Sequence, residues 1–352
     1  MKKILCCSPV WMCLILGLSG CLSTRRSRTG DLGDVSPPVR FTDTLVIENG
    51  MVRLAVAPSV GRIVEFGPVA GRNLLWLNTE GAVEELKKGT AWINYGGDKV
   101  WPAFQSMWAR VLPTGGTFPP DPALDGSAWE LIEQQPRRLV LRSPEAPQLG
   151  IRIVREIELH ESDPVVVIRS TIERIAPSVF PVQVWAVSQA LPAKYILMSV
   201  EQRFPQGPLG REEYAIWGKW SRDVVTENIT SLPDRRAIRW DPRHSGGAKV
   251  GTLGTWCAAV YDDWVLVHRT SFDPEGSYPD ASNIQVYADT LYVELETLGP
   301  QKHPRPGESI RQTVVWELIP TDNREDAELI EAIRMKNVFH PSSHGFILVE
   351  QT

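Results

Sequence analysis

Two carboxylates, Glu294 and Glu296, lie in the run Leu291-Tyr292-Val293-Glu294-Leu295-Glu296-Thr297. In an extended chain successive side chains alternate, so Tyr292, Glu294 and Glu296 share one face and Leu291, Val293 and Leu295 the other. At a rise of ~3.3 Å per residue the two Cα atoms stand about 6.5–7 Å apart. Carboxylates on that scale can divide acid and base roles over one substrate, or bind the hydroxyls of a polyol. The same pattern also describes a solvated polar strand face. A second segment carries complementary groups. Between Trp92 and Trp108 the chain sets Trp92, Trp101, Trp108 and Tyr95 among Asn94, Asp98, Lys99 and Gln105, around the pair Gly96-Gly97. Flat aromatic faces stack on the C–H faces of sugars, while amides and charges bond the hydroxyls. Glycines let backbone bend toward a ligand. The plainer alternative is a loop whose aromatics fill the end of a core.

Other chemistry is weakly represented. His340 and His344 have an i, i+4 spacing, but Pro341 between them opposes the regular helix that a zinc pair would need. There is no Gly-x-Ser-x-Gly elbow, phosphate loop or dinucleotide fingerprint. No metal and no cofactor are expected. Cys257 lies in the apolar run Thr255-Trp256-Cys257-Ala258-Ala259-Val260 and reads as a buried, inert thiol.

The elements that must position these groups are strands. Residues 44–48 and 51–57 flank Asn49-Gly50, a strong hairpin signal. Residues 60–66, 73–78, 128–134, 138–143, 164–175, 181–191, 236–240, 254–260, 263–269, 284–289, 291–297 and 310–319 continue the pattern, punctuated by Pro and Gly. The clearest strand spans 149–160: Leu149, Ile151, Ile153, Ile157 and Leu159 share one face, and Arg152, Glu156, Glu158 and His160 the other. So many strands with so little helix predict an all-β fold, a large antiparallel sandwich occupying residues 41–320 as one domain. Residues 321–352 hold a short helix and tail: Asp322 or Asn323 can cap it, and Ala327, Ile330, Ile333 and Arg334 follow at helical spacing.

The N-terminus reads as an address. Lys2 and Lys3 precede an apolar run from Ile4 to Leu18, too short to span a bilayer, followed by Leu18-Ser19-Gly20-Cys21. This is the pattern of a bacterial lipoprotein signal: residues 1–20 are removed and Cys21 carries lipid. Residues 21–40, with Arg25, Arg26, Arg28 and Pro37-Pro38, form a flexible tether. Leu22, rather than aspartate, follows Cys21, which favours the outer membrane where a cell has two. Cys6, Cys7 and Cys13 leave with the signal, so Cys257 has no partner for an intramolecular disulfide. The net charge of -5 gives no overall basic field for nucleic acid. The expected partners are the membrane, through the lipid, and a carbohydrate ligand, with the chain acting as a monomer.

The stretch Tyr292-Val-Glu-Leu-Glu-Thr-Leu-Gly-Pro300, then Arg305-Pro-Gly-Glu308 and a strand ending Trp316-Glu-Leu318, resembles the C-terminal part of galactose-mutarotase-like (aldose 1-epimerase-like) domains. Gly61-Arg62-Ile63 and Gly96-Gly-Asp-Lys-Val-Trp-Pro102 resemble an uncharacterised bacterial branch of that superfamily, a domain of unknown function. The resemblance spans roughly residues 45–320. It implies a supersandwich, and a glutamate base working with a histidine acid. Glu296 matches the base. The acid should fall near Pro181–Gln189, where Trp185 and Ser188 stand and no histidine occurs. Lys99 or Asp98 is then the substitute proton donor, and Arg62, Asn94, Tyr95, Trp101, Gln105, Trp108, Trp185 and Glu294 are the expected ligand-binding residues. Three readings follow: an envelope lipoprotein that binds carbohydrate, a sugar epimerase-like enzyme with Glu296 as base, or a structural and assembly lipoprotein. A site joining Trp101, Lys99, Arg62 and Glu296 favours the first two.

Overall fold

Strand β1 (Leu45–Glu48) turns into β2 (Val52–Ala57) through Asn49 and Gly50, whose φ of 85° suits glycine. The Asn49 side chain accepts from the backbone N–H groups of Met51 and Val52, both at 3.0 Å, closing the turn locally. The chain continues as β3 (Arg62–Pro68), β4 (Gly97–Trp101), β5 (Glu130–Gln135), β6 (Arg138–Arg142), β7 (Ile151–Leu159), β8 (Val165–Arg174), β9 (Trp185–Ala190) and β10 (Tyr195–Ser199). Beyond these come β11 (Ala215–Trp217), β12 (Ile229–Ser231), β13 (Ala237–Trp240), β14 (Ala248–Thr252), β15 (Trp256–Val260), β16 (Trp264–Thr270), β17 (Ile284–Ala288), β18 (Val293–Leu298) and β19 (Ser309–Pro320). This computed structural model describes residues 41–88, 92–102, 121–204, 213–217, 222–244, 247–322, 324–335, 339–342 and 345–348. The expected signal, Cys21 and tether lie outside them. Residues 38–352 cluster as one compact unit.

The strands form two large antiparallel sheets. One has nine strands in the order β1-β2-β3-β4-β9-β18-β17-β14-β11, and the other ten in the order β12-β13-β10-β15-β16-β19-β8-β7-β6-β5. Their facing sides build the main core, in which Phe66 of β3 meets Trp316 of β19 at 5.4 Å between ring centroids. The all-β sandwich expected from the strand pattern is therefore the observed architecture. Strand β7 alternates as expected, with Ile151, Ile153, Ile157 and Leu159 buried. The same alternation sends Arg155 into the core, where its guanidinium meets the Asp98 carboxylate of β4 across the sandwich. The opposite face of β7 is a lattice of cross-strand ion pairs: Arg152 with Glu173 at 2.5 Å, Arg169 with Glu158 at 2.8 Å, and Arg311 with Glu156 at 3.1 Å.

Three expectations change. Residues 73–78 are not a strand; Leu75 and Leu77 make isolated bridges to Ala190 and Gly96. The short helix α1 (Gly81–Lys88) and the one-and-a-half-turn α2 (Arg222–Glu227) were not foreseen. The C-terminal helix α3 (Asp326–Met335) starts later than the Asp322 or Asn323 cap would place it. Glu328 Oε2 accepts from the Glu325 N–H at 3.2 Å, half of a capping box at the true N-terminus. Its apolar stripe is Leu329, Ile330 and Ile333, while Ala327 is exposed. The stripe lies on Val265, Val267 and Ile319 of the ten-stranded sheet, on the face turned away from the core between the sheets. Arg269 of β16 donates to the Ile333 carbonyl at 2.6 Å, holding the helix C-terminus. His340 lies in a hairpin strand (Phe339–Ser342) rather than a helix, and His344 is outside the described residues.

Candidate functional site

The register of the nine-stranded sheet decides which groups share a face. Lys99 on β4 and Glu296 on β18 both stand opposite Val187 of β9, and Glu294 stands opposite Gln189 of β9 and Tyr287 of β17. Tyr287 in turn faces Lys249 of β14. Directly paired residues project from the same side of a sheet. One side of β4-β9-β18-β17-β14 therefore carries Lys99, Trp101, Trp185, Gln189, Glu294, Glu296, Tyr287 and Lys249. It is the side turned away from the ten-stranded sheet, since Val100, Ser188, Leu295 and Val286 alternate inward.

Two glycines set β4 in place. Gly96 and Gly97 have φ of 81° and 70°, the left-handed region that side chains disfavour. A Cβ at Gly97 would fall on the Ile63 carbonyl oxygen, and one at Gly96 on the Trp76 carbonyl oxygen. The Gly97 N–H donates to Trp76 O at 2.8 Å. These contacts dock the start of β4 between β3 and the segment before α1.

The site centres on Glu296, which is fully buried. Its Oε2 accepts from Trp185 Nε1 at 2.8 Å and pairs with Lys249 Nζ at 2.8 Å, while its Oε1 has no hydrogen-bond partner in the protein. Lys249 also lies over the Trp185 ring, 4.9 Å from its centroid. A parallel arrangement surrounds Lys99. Its Nζ stands 4.9 Å from the Trp101 ring centroid and 3.8 Å from Glu294 Oε1, and makes no hydrogen bond. Gln189 Nε2 donates to Glu294 Oε1 at 3.0 Å, and Gln189 Oε1 is unpartnered. The two halves meet where Trp101 and Trp185 pack edge to face at 4.9 Å.

Arg62 and Asp125 close one side. The Arg62 guanidinium pairs with Asp125, and its Nη1 donates to Gly96 O at 2.7 Å. Asp125 Oδ2 also accepts from Trp92 Nε1 at 3.0 Å and Trp101 Nε1 at 2.9 Å. One carboxylate thus fixes an arginine and two indoles.

Burial shapes the ionisation of this face. Desolvation pushes the Lys99 ammonium down to about 8, against the opposing pull of Glu294. Desolvation raises the Glu294 carboxyl, with Lys99 working against it. Tyr287 and Tyr292 are raised by burial and the nearby carboxylates. A lysine drawn down and a carboxyl drawn up stand 3.8 Å apart, each biased by burial toward its neutral form.

Of the residues singled out in the sequence, the fold brings together Arg62, Lys99, Trp101, Trp185, Glu294 and Glu296. Tyr95 stands at the margin, half-buried, with Arg62 5.8 Å over its ring and Phe41 against its edge. Asn94 acts through its turn, its Oδ1 accepting from the Gly96 N–H at 3.3 Å. Asp98 is a correction: it projects into the core between the sheets, bound to Arg155 and to Ser188 Oγ at 2.7 Å, and faces away from Glu296. It is not a proton donor for a ligand on the Glu296 face. Gln105 and Trp108 lie outside the described residues. Among the described residues no histidine shares this face. His268 is buried in the core, stacked on Trp316 with rings 4.7 Å apart and an interplanar angle of 3°. Cys257 is buried as expected, and burial raises its thiol pKa. No described group of His, Cys, Asp and Glu could hold a metal ion. Sequence reasoning missed Lys249, Gln189 and Asp125. Lys249 carries the one available signal, a cation in a short alternating run, Ala248–Thr252.

The fold has solved relatives. A candidate aldose 1-epimerase from Escherichia coli K12 superposes with a TM-score of 0.51 at 11% identity, covering 79% of this chain and 99% of that one. A galactose mutarotase-like protein from Lactobacillus casei gives a TM-score of 0.51 at 11% identity, covering 78% of this chain and 100% of that one. At such identity the likeness is one of fold. No curated protein sequence matches the chain. The family model described as "Domain of unknown function (DUF4380)" matches residues 42–319. The fold is galactose-mutarotase-like, and the chain belongs to the DUF4380 family.

Proposed function

We propose that this protein binds a carbohydrate on the Glu296 face of its nine-stranded sheet, as a lipid-anchored protein of the bacterial envelope held at Cys21. The observation that carries the binding reading is a set of unmet polar atoms. Lys99 Nζ, Gln189 Oε1 and Glu296 Oε1 lie on one face, are buried, and make no hydrogen bond within the protein. Buried polar groups are almost always paired, because leaving one unsatisfied costs about 1–3 kcal/mol. A polyol supplies both donors and acceptors and would satisfy an ammonium, an amide oxygen and a carboxylate oxygen together. The anchor is read from the sequence between Lys2 and Cys21, and it fits a domain that meets sugars outside the cytoplasm rather than cytosolic sugar phosphates.

A second reading is catalysis, favoured by the opposed ionisation of Lys99 and Glu294. Acid–base work on a sugar ring needs two groups near neutrality flanking one carbon. Lys99 and Glu294, 3.8 Å apart and each biased by burial toward its neutral form, are the candidate pair, with Glu296 held by Lys249 beside them.

The test is a glycan array on the full-length protein, followed by calorimetry of the hits and by NMR of anomer exchange. Glu296→Gln is run in parallel. Binding that weakens at least about tenfold in Glu296→Gln supports the site. Binding without anomer exchange removes the catalytic reading. No binding to any sugar overturns both, and returns the protein to a structural role in the envelope.

A further inference from the structure

The strongest unexplained group on the binding face is the Lys99 amine. Its side chain is 3% exposed and its Nζ has no hydrogen-bond partner, although the Glu294 carboxylate stands only 3.8 Å away. An ammonium has three protons to place and ordinarily finds acceptors for them. Here the surroundings are the Trp101 ring at 4.9 Å and the Glu294 carboxylate, with Arg62 contributing a further positive charge. Glu294 is the more accessible of the pair, at 17% exposure, so the carboxyl stands between the buried amine and solvent-exposed surface only on its own side.

We infer that Lys99 is a nucleophile that forms a reversible imine with the open-chain aldehyde of a reducing sugar, with Glu294 as its proton-transfer partner. The inference rests on the reading of this face as a carbohydrate site. The neutral amine adds its lone pair to the aldehyde carbon, and the carbonyl oxygen takes a proton from the Glu294 carboxyl. The carbinolamine nitrogen loses a proton to the Glu294 carboxylate, which returns it to the departing hydroxyl. Water leaves, a C=N bond replaces the C=O bond, and no oxidant or reductant is consumed. Addition of water reverses the sequence.

The groups facing Lys99 set when the amine is neutral. Glu294 and Asp125 favour the ammonium, as does Asp98 from the far side of the same strand, while burial and Arg62 oppose it. Burial wins, holding the ammonium at about 8. At pH 7 such a group is neutral roughly 200–300 times more often than a solvated lysine.

The test uses the wild-type full-length protein, glyceraldehyde as the aldehyde and cyanoborohydride to reduce any imine, with labelled lysines located by peptide mapping. Lys194, 55% exposed, is the internal reference. Labelling of Lys99 at least about tenfold faster than Lys194 at pH 7 is the expected result. Labelling no faster than Lys194 overturns the inference. Calorimetry with methyl glycosides, which cannot open to an aldehyde, separates the two ideas: glycoside binding with no preferential Lys99 labelling leaves the binding site standing and removes the imine. Failure of both removes both.

Discussion

Arg155 of β7 and Asp98 of β4 form an ion pair between the two sheets, with both side chains buried. Asp98 is the immediate neighbour of Lys99, so this pair anchors the strand that presents the amine. Ser188 Oγ, 2.7 Å from the second Asp98 oxygen, completes the carboxylate's coordination.

Breaking that pair from one side leaves a buried charge without its partner. Arg155→Leu is expected to destabilise the protein by about 3–5 kcal/mol in urea unfolding. Arg155→Leu combined with Asp98→Asn removes both charges and is expected to recover part of the loss, by about 1–2 kcal/mol. A double variant no more stable than the single one would show that packing, not charge, dominates at this position.

Gly97 tests the docking of β4. Its φ of 70° and the Ile63 carbonyl oxygen in the path of a Cβ make Gly97→Ala costly, by about 2–4 kcal/mol. Gly126 also has positive φ, at 120°, but a Cβ there meets nothing within 4 Å. Gly126→Ala is expected to cost less, and comparing the two urea midpoints separates steric exclusion from backbone strain.

Lys99 makes stability depend on alkaline pH. Its folded pKa is lowered to about 8 from an ordinary 10.5, so between those values the unfolded chain binds more protons than the folded one. Stability from this group therefore rises with pH across that window, and the penalty is fully present below it. Lys99→Met is expected to be more stable than wild type at pH 7, by up to about 3 kcal/mol, with the difference narrowing toward pH 10. Thermal unfolding of both proteins between pH 7 and 10 reads this directly. Sugar binding by Lys99→Met is expected to fall at the same time.

His268 sets an acid limit. Burial against Trp316 lowers its imidazolium pKa to about 3, from 6.5. The unfolded chain binds the extra proton between these values, so stability is lost as pH falls from 6.5 toward 3. His268→Gln is expected to flatten that slope, by about 3 kcal/mol at most, in unfolding measured from pH 7 to pH 4.

The parts legible in the sequence are those governed by local alternation. Strand β7 announced its buried face, and β18 placed Glu294 and Glu296 on one side as period two requires. The hairpin at Asn49-Gly50 was likewise a local matter of turn chemistry. Strand β4 was hidden because two glycines and a crowd of aromatics look like a loop, and only the pairing with β9 makes it a strand. The same gap misplaced Asp98: without a strand there is no alternation to separate it from Lys99. Lys249 was hidden in a short strand bounded by Gly247 and broken by Gly251, and it reaches Glu296 only because β14 pairs with β17 and β17 with β18. Asp125 lies in Pro122-Ala-Leu-Asp-Gly126, which reads as a turn, and its role as acceptor for two indoles and an arginine comes from contacts distant in sequence.

The left-handed glycine pair at the head of β4 acts as a polarity selector. Neighbouring residues of opposite charge, Asp98 and Lys99, follow it at once, and a slip of one residue exchanges the faces they occupy. Such a slip would set a carboxylate on the outer face, among Glu294 and Glu296, and bury an ammonium against Arg155. By pinning the entry of the strand to the Trp76 and Ile63 carbonyls, Gly96 and Gly97 determine the sign of the charge that this face presents.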